Sequence, residues 1–266
     1  MPGYEFRALI GVGELGEVHR AYQPSVGREV AVRIFGPGMV GHPQFVRRFE
    51  TASQRITRVE HPHVVPLLDY WREPNRAVMV CRLMTGGDLG QRIPIGGFDE
   101  PSALAVFESV AAAVASAHRH GVVHGRIRPE NVLFDEEGHA YVADLGVDEI
   151  CAGVITFASS AYDAPDRLGG VLATRAADVY SLGVLVHHLL GGSAPSPDGA
   201  LRIGDGPAAA VVGRATDSDP RRRHESVDEL ISELRGALAV PSDPTTVFAP
   251  ARNPYRGLAA FEQADA

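Results

Sequence analysis

The chain has no lysine: all 25 of its basic side chains are arginine. No position can therefore carry a point-charge ammonium, and a single arginine where other proteins use lysine says little alone, because the whole composition is biased. Cysteine is nearly as scarce. Cys81 and Cys151 are too few for a disulfide framework and no Cys/His spacing fits a zinc site, which excludes a small stapled domain and predicts a reducing, cytoplasmic setting. Long apolar runs are missing too. No stretch of about 18 uninterrupted apolar residues is present to span a bilayer, and the first residues lack the charged-then-apolar pattern of a secretion signal. Positive charge is outweighed, with 25 basic against 33 acidic side chains and a formal net charge of −8. That balance argues against a nucleic-acid or anionic-membrane partner. What the chain does have is apolar bulk, 45% of 266 residues, enough for a substantial core in one large or two medium domains.

In chain order, 4–11, 16–22 and 29–35 read as a three-strand meander, with Pro24-Ser25-Val26-Gly27 as the second turn. Across the first turn lies Gly11-Val-Gly13-Glu-Leu-Gly16-Glu-Val18. Glycines at this spacing let backbone N–H groups approach a phosphate without obstruction from Cβ. The plainer alternative is a Gly-rich hairpin; the strand on each side separates it from the strand-to-helix loop of dinucleotide folds. A helix is predicted over 45–59, with Phe45, Phe49, Ala52, Ile56 and Val59 on one face. Strands over 64–71 and 76–82 complete a five-strand unit. From there the chain turns mainly helical. Asp99 as N-cap with Pro101 in the first turn predicts a helix over 101–121, and Ser226-Val-Asp-Glu229 is a capping box opening a last helix over 227–238. Beyond it, Pro241, Pro244, Pro250 and Pro254 among Ser, Asp and Thr predict a linker without a core of its own.

The stretch 122–135, with His124, Gly125, Arg126, Arg128, Pro129 and Asn131, resembles the catalytic loop of bacterial eukaryotic-like (Hanks-type) Ser/Thr protein kinases, His-Arg-Asp-x-x-x-x-Asn. Other motifs of that family are similar at their own places: the glycine loop, Val30-Ala31-Val32-Arg33 at Val-Ala-x-Lys, Asp144-Leu145-Gly146 at Asp-Phe-Gly, and Ala164-Pro165-Asp166 at Ala-Pro-Glu. Asp178-Val-Tyr-Ser-Leu-Gly183 matches the family's central helix. The resemblance spans about 4–238. It implies an α+β, bilobal protein-kinase-like fold: a five-stranded antiparallel small lobe with one helix, about 1–84, and a mainly helical large lobe, about 85–240. It also implies ATP and Mg²⁺ as the ligands of such a frame. Gly11, Gly13, Gly16, Val18, Ala31, Arg33, Cys81, Arg82, Met84 and Leu133 would be the nucleotide-side residues, and Asn131 and Asp144 the metal ligands. Cys81 would guard the back of the base pocket, with Arg82, Leu83 and Met84 as the hinge. Asp178 is expected to fix the catalytic-loop backbone, Arg223 to meet Asp166, and His124 to stack in the core with Ile56, Leu67 and Leu145. Within 241–266, after a Pro-rich linker, the segment from Asn253 resembles the opening of a STAND-class NTPase module.

Three departures bear on chemistry. Arg126 stands at the base position and cannot accept a proton at physiological pH. Arg33 replaces the phosphate-holding lysine with a bulkier planar fork. Ala52 stands nine residues before His61, where the family's helix glutamate lies, and Glu50 is about 200° around the helix from it. Gly125 also replaces the arginine that reads a phosphorylated activation segment, so activation by phosphorylation of Thr156, Ser159 or Ser160 is not expected. The leading reading is a pseudokinase with weak or no ATP binding and a regulatory or scaffolding role in bacterial signalling, acting on a protein partner or an attached NTPase module. A second is an active or atypical kinase using Asn131 and Asp144 for Mg²⁺. A third is a nucleotide-independent interaction domain in which Arg126 pairs with Asp144, favoured mildly by Glu14 at the tip of the glycine loop.

Overall fold

In a computed structural model, residues 3–95, 98–167, 172–191 and 205–238 are described; the proposed linker and NTPase-like segment in 241–266 lie outside them. Five strands form one antiparallel sheet in the order β1-β2-β3-β5-β4: β1 Glu5–Gly13, β2 Gly16–Gln23, β3 Arg28–Phe35, β4 Leu67–Glu73 and β5 Arg76–Arg82. The turn at 24–27 falls where the sequence puts it, closed by the Val26 and Gly27 N–H groups donating to the Gln23 carbonyl. The central strands bury both faces. Val30, Val32, Val78 and Val80 pack outward against Tyr4 and Trp71, while Ala31 faces the cleft with Val18.

The small lobe carries two helices, α1 Pro37–Val40 and α2 Pro43–Ile56. Phe45, Phe49, Ala52 and Ile56 turn inward as expected, and Phe35 meets the Phe45 and Phe49 rings edge-on at 5.3 and 5.8 Å. The helix stops at Ile56 rather than 59. The Thr57 hydroxyl donates to the Gln54 carbonyl and Val59 N–H to the Ile56 carbonyl, a tightened exit that leads into the helix-averse His61-Pro62 pair. Likewise β4 begins at Leu67, not 64. Pro66 has no N–H to give a ladder, and the residues before it dock the large lobe instead: Val65 N–H donates to the Val142 carbonyl and Val142 N–H to that of His63.

The large lobe holds α3 Leu89–Arg92, α4 Glu100–Arg119, the hairpin β6 Val132–Phe134 and β7 Ala140–Val142, α5 Val147–Cys151, α6 Arg175–Leu189, α7 Ala209–Ala215 and α8 Val227–Leu238. Asp99 caps α4 by accepting from Ser102 N–H at 2.9 Å. At the start of α8, Ser226 accepts from Glu229 N–H, but the Glu229 carboxylate reaches back one residue further than the simple box, to Glu225 N–H. Helices α4, α6 and α8 pack together around Phe107, Leu182 and Leu234, all fully buried. The hairpin β6–β7 presents the catalytic-loop-like stretch and Asp144 to the cleft. Among the described residues, no helix is long and apolar enough to cross a membrane.

Candidate functional site

The lobes enclose a cavity of about 80 Å³, small beside the roughly 300–1,000 Å³ of typical ligand pockets. Of the expected nucleotide-side residues, Val18, Ala31, Arg33, Cys81, Arg82 and Leu133 line it, as do Asn131 and Asp144. Met84 does not line the cavity but is fully buried in one apolar cluster with Val18, Ala31, Leu133 and Ala143. Val18 and Ala31 from the sheet and Leu133 and Ala143 from the hairpin side make a slot for a flat ring. Burial pushes the Cys81 thiol up to about 12, with Asp144 adding to the rise, so the sulfur at the back of the slot is neutral. Arg82 is turned across the hinge, donating to the Tyr141 hydroxyl at 3.1 Å and lying 3.7 Å from the Asp135 carboxylate.

The glycine loop is a tight hairpin in which Gly13 faces Gly16 across the ladder. Gly16 sits at φ +115°, and a Cβ there would fall 2.2 Å from the Ile34 carbonyl oxygen, so only glycine fits. None of Gly11, Gly13 and Gly16 borders the cavity. Leu15 at the tip is buried in the main core, and its carbonyl accepts from Gly36 N–H.

Arg33 crosses the cleft. Its Nη2 donates to both carboxylate oxygens of Asp144, at 2.6 and 2.7 Å, with the two side chains 11% and 21% exposed. Helix α2 offers it no carboxylate, because Ala52 is buried and Glu50 exposed. Asp144 is the single described non-glycine residue at positive φ, +56°, a region that Asp tolerates better than most residues. Asn131 donates from Nδ2 to the Arg126 carbonyl at 2.8 Å.

Arg126 does not pair with Asp144, which corrects the third sequence reading. Its guanidinium lies 3.7 Å from the centre of the Phe157 ring, and its Nη2 is 3.4 Å from Glu14 Oε2. Glu14 Oε1 in turn accepts from Ala158 N–H at 2.7 Å. Glycine loop, catalytic-loop position and activation segment are thus clasped by one arginine. The sequence puts Glu14 at the tip of the glycine loop, but Phe157 and Ala158 carry no local signal of their part in this contact.

Beneath the cleft the anchors stand where the resemblance implies. Asp178 is fully buried and accepts from His124 N–H, Gly125 N–H and His118 Nε2, each at 2.8 Å. His124 is buried, and Ile56, Leu145 and the partly buried Leu67 share the main apolar core; burial lowers the His124 pKa below the ordinary 6.5. Arg223 pairs with Asp166 and lies over the Tyr180 ring. Gly125 has φ +77°, and a Cβ there would meet Asp148 and Ala173 at under 3.0 Å. Asp148, from α5, is held by Arg167, which also donates to the Gly125 carbonyl. Further up, Arg55 of α2 pairs with Glu149 and Arg48 donates to the Ala152 carbonyl, so α5 is strapped to α2.

The protein kinase domain family matches residues 4–234. The chain belongs to that family. Among similar sequences are the serine/threonine-protein kinase PrkC of Bacillus subtilis, 28% identical over 261 residues, covering 88% of this chain and 40% of that protein, and PknL of Mycobacterium tuberculosis, 32% identical over 221 residues, covering 80% and 55%. The chain thus spans about half the length of the curated relatives it matches. The crystal structure of the M. tuberculosis PknI kinase domain superposes with a TM-score of 0.75, covering 90% of this chain and 97% of that one at 22% identity, a likeness of fold.

Against the ATP and Mg²⁺ implied by that family, the cleft fits unevenly. The apolar slot suits a base. The metal position does not fit, since both Asp144 oxygens are already engaged by a fixed cation. No side chain able to accept a proton stands at position 126.

Proposed function

We propose that this is a pseudokinase domain: a kinase fold that transfers no phosphoryl group efficiently and serves as a regulatory or scaffolding unit, with a protein partner or a downstream NTPase module as its target. The observation that carries this reading is the joint rearrangement of the three chemical positions. Arg33 is spent on Asp144, Ala52 leaves it without a glutamate, and Arg126 is spent on Glu14 and Phe157. A general base alone contributes about 10²–10⁴-fold, and phosphoryl transfer further depends on positioned cations and metal, so these losses compound. The strapping of α5 to α2 and the clasp at Arg126 suit a domain whose surface, rather than its turnover, is the output. A cytoplasmic location accords with this role.

The test is a phosphotransfer assay with labelled ATP and a generic protein substrate, with Asp144→Ala as control. No transfer above that control is expected; transfer that Asp144→Ala abolishes would establish an active or atypical kinase using Asn131 and Asp144. Restoring Asp at position 126 alone is expected to leave transfer undetectable, whereas the triple change Arg33→Lys, Ala52→Glu, Arg126→Asp is expected to raise it.

A further inference from the structure

The Arg33–Asp144 contact uses one guanidinium nitrogen. Nη2 meets both carboxylate oxygens, while Nε and Nη1 take no hydrogen bond among the described residues, and Arg33 borders the cavity. Arg128 borders it as well, its Nε buried without a hydrogen-bond partner and 3.7 Å from Glu130. The charged residues lining the cavity are Arg33, Arg82 and Arg128 against Glu130 and Asp144, and of the three arginines Arg82 is turned away toward Asp135. A divalent cation approaching Asp144 would meet a permanent charge already in contact with both oxygens. Its other oxygen ligand would be the neutral Asn131, so with Arg33 in place the position offers a cation no net negative charge. An anionic ligand meets the opposite situation, with free guanidinium donors of the geometry that binds phosphate.

We propose that Arg33 takes the place of the divalent cation at Asp144, so that the cleft receives a nucleotide as its metal-free anion. The base lies in the slot between Val18, Ala31, Leu133 and Ala143, and the phosphates face Arg33 and Arg128. The proposal rests on the reading of the cleft as one that does not transfer phosphate. It is separable from that reading, because it concerns binding without metal and not turnover. The cavity of about 80 Å³ is smaller than a nucleotide, so the lobes part on binding.

The experiment is a titration of the whole chain with a fluorescent purine nucleotide, mant-ADP, first in EDTA and then in excess MgCl2, alongside MnCl2 alone followed by electron paramagnetic resonance. Wild type is expected to bind mant-ADP at least as tightly in EDTA as in Mg²⁺ and to retain no Mn²⁺. Arg33→Met should weaken mant-ADP in EDTA about tenfold or more, the loss of one charge-assisted phosphate contact. It should also gain Mn²⁺ binding that Asp144→Ala then abolishes. Three results would overturn the proposal: a Mg²⁺ requirement in wild type, Mn²⁺ retained by wild type, or no mant-ADP bound under either condition. The wild-type titrations decide it even if Arg33→Met fails to fold. A phosphotransfer signal, by contrast, would sink the pseudokinase reading without touching these outcomes.

Discussion

Two aspartates bracket the stretch 122–135 from below and above, and they keep different company. Asp178 beneath it is fully buried and accepts three hydrogen bonds, two from the backbone of His124 and Gly125 and one from His118. Asp144 above it is partly exposed, and a single arginine from the opposite lobe takes both its oxygens. The lower site is a strut whose loss would leave buried N–H groups unpaired. The upper one holds a side chain of the opposite lobe, and solvent reaches it in part. Asp178 holds the backbone of the loop, whereas Asp144 holds a side chain that reaches it from the small lobe.

The sharpest way to break this contrast is to remove each carboxylate. Asp178→Ala should cost about 3–5 kcal/mol in chemical denaturation, the range for stripping one partner from a buried charged network, while Asp144→Asn should cost about 1 kcal/mol or less, since the pair is partly solvated and Asn keeps the left-handed backbone. Equal costs would end the distinction between the two aspartates. Next in size, Gly125→Ala puts a Cβ at φ +77° against Asp148, and about 2 kcal/mol or more of destabilisation is expected from the left-handed conformation and the collision together. A smaller effect concerns pH. His124 Nδ1 accepts from Arg126 N–H, and its buried Nε2 has no partner. Burial depresses its pKa below 6.5, opposed more weakly by Asp178 and Asp144. The unfolded chain therefore takes up a proton that the fold excludes, so this stability is present above about pH 6.5 and lost as pH falls toward the depressed value. His124→Leu should flatten the acid limb by up to about 1.4 kcal/mol per pH unit relative to wild type; parallel limbs would remove His124 from the account. The smallest expected effect is at the clasp. Phe157→Ala should cost about 1 kcal/mol, the scale of a cation–π contact, and speed amide exchange at Ala158, while exchange at Gly125, anchored on Asp178, stays slow.

Much of the frame was readable from the residues. The turn at 24–27, the strand over 76–82 and the helix over 227–238 coincide with the structure because each is marked by short-range chemistry: Pro and Gly in the turn, β-branched runs, a Ser and Glu at capping distance. Helix α5 escaped notice because five residues are too few to display a period, and β4 began late because Pro66 diverted its first residues to the other lobe. At the site, the vacancies at positions 33, 52 and 126 were legible as missing residue types. Which charge would answer which is not: only the third reading gives Arg126 a partner within the chain, Asp144, and that carboxylate is taken by Arg33 from 111 residues away.

The sequence alone determined that the chain folds as a kinase domain and that it lacks the family's base, lysine and helix glutamate, since both follow from residue identities at fixed local spacings. Only the tertiary structure decided where the displaced charges went. Arg33 reaches Asp144 because β3 and the end of the β6–β7 hairpin face each other across the cleft. Arg126 is left to Phe157 and Glu14 because the activation segment and the glycine loop close over it. Ion pairs and ring contacts between residues a hundred positions apart depend on distances that no local pattern encodes.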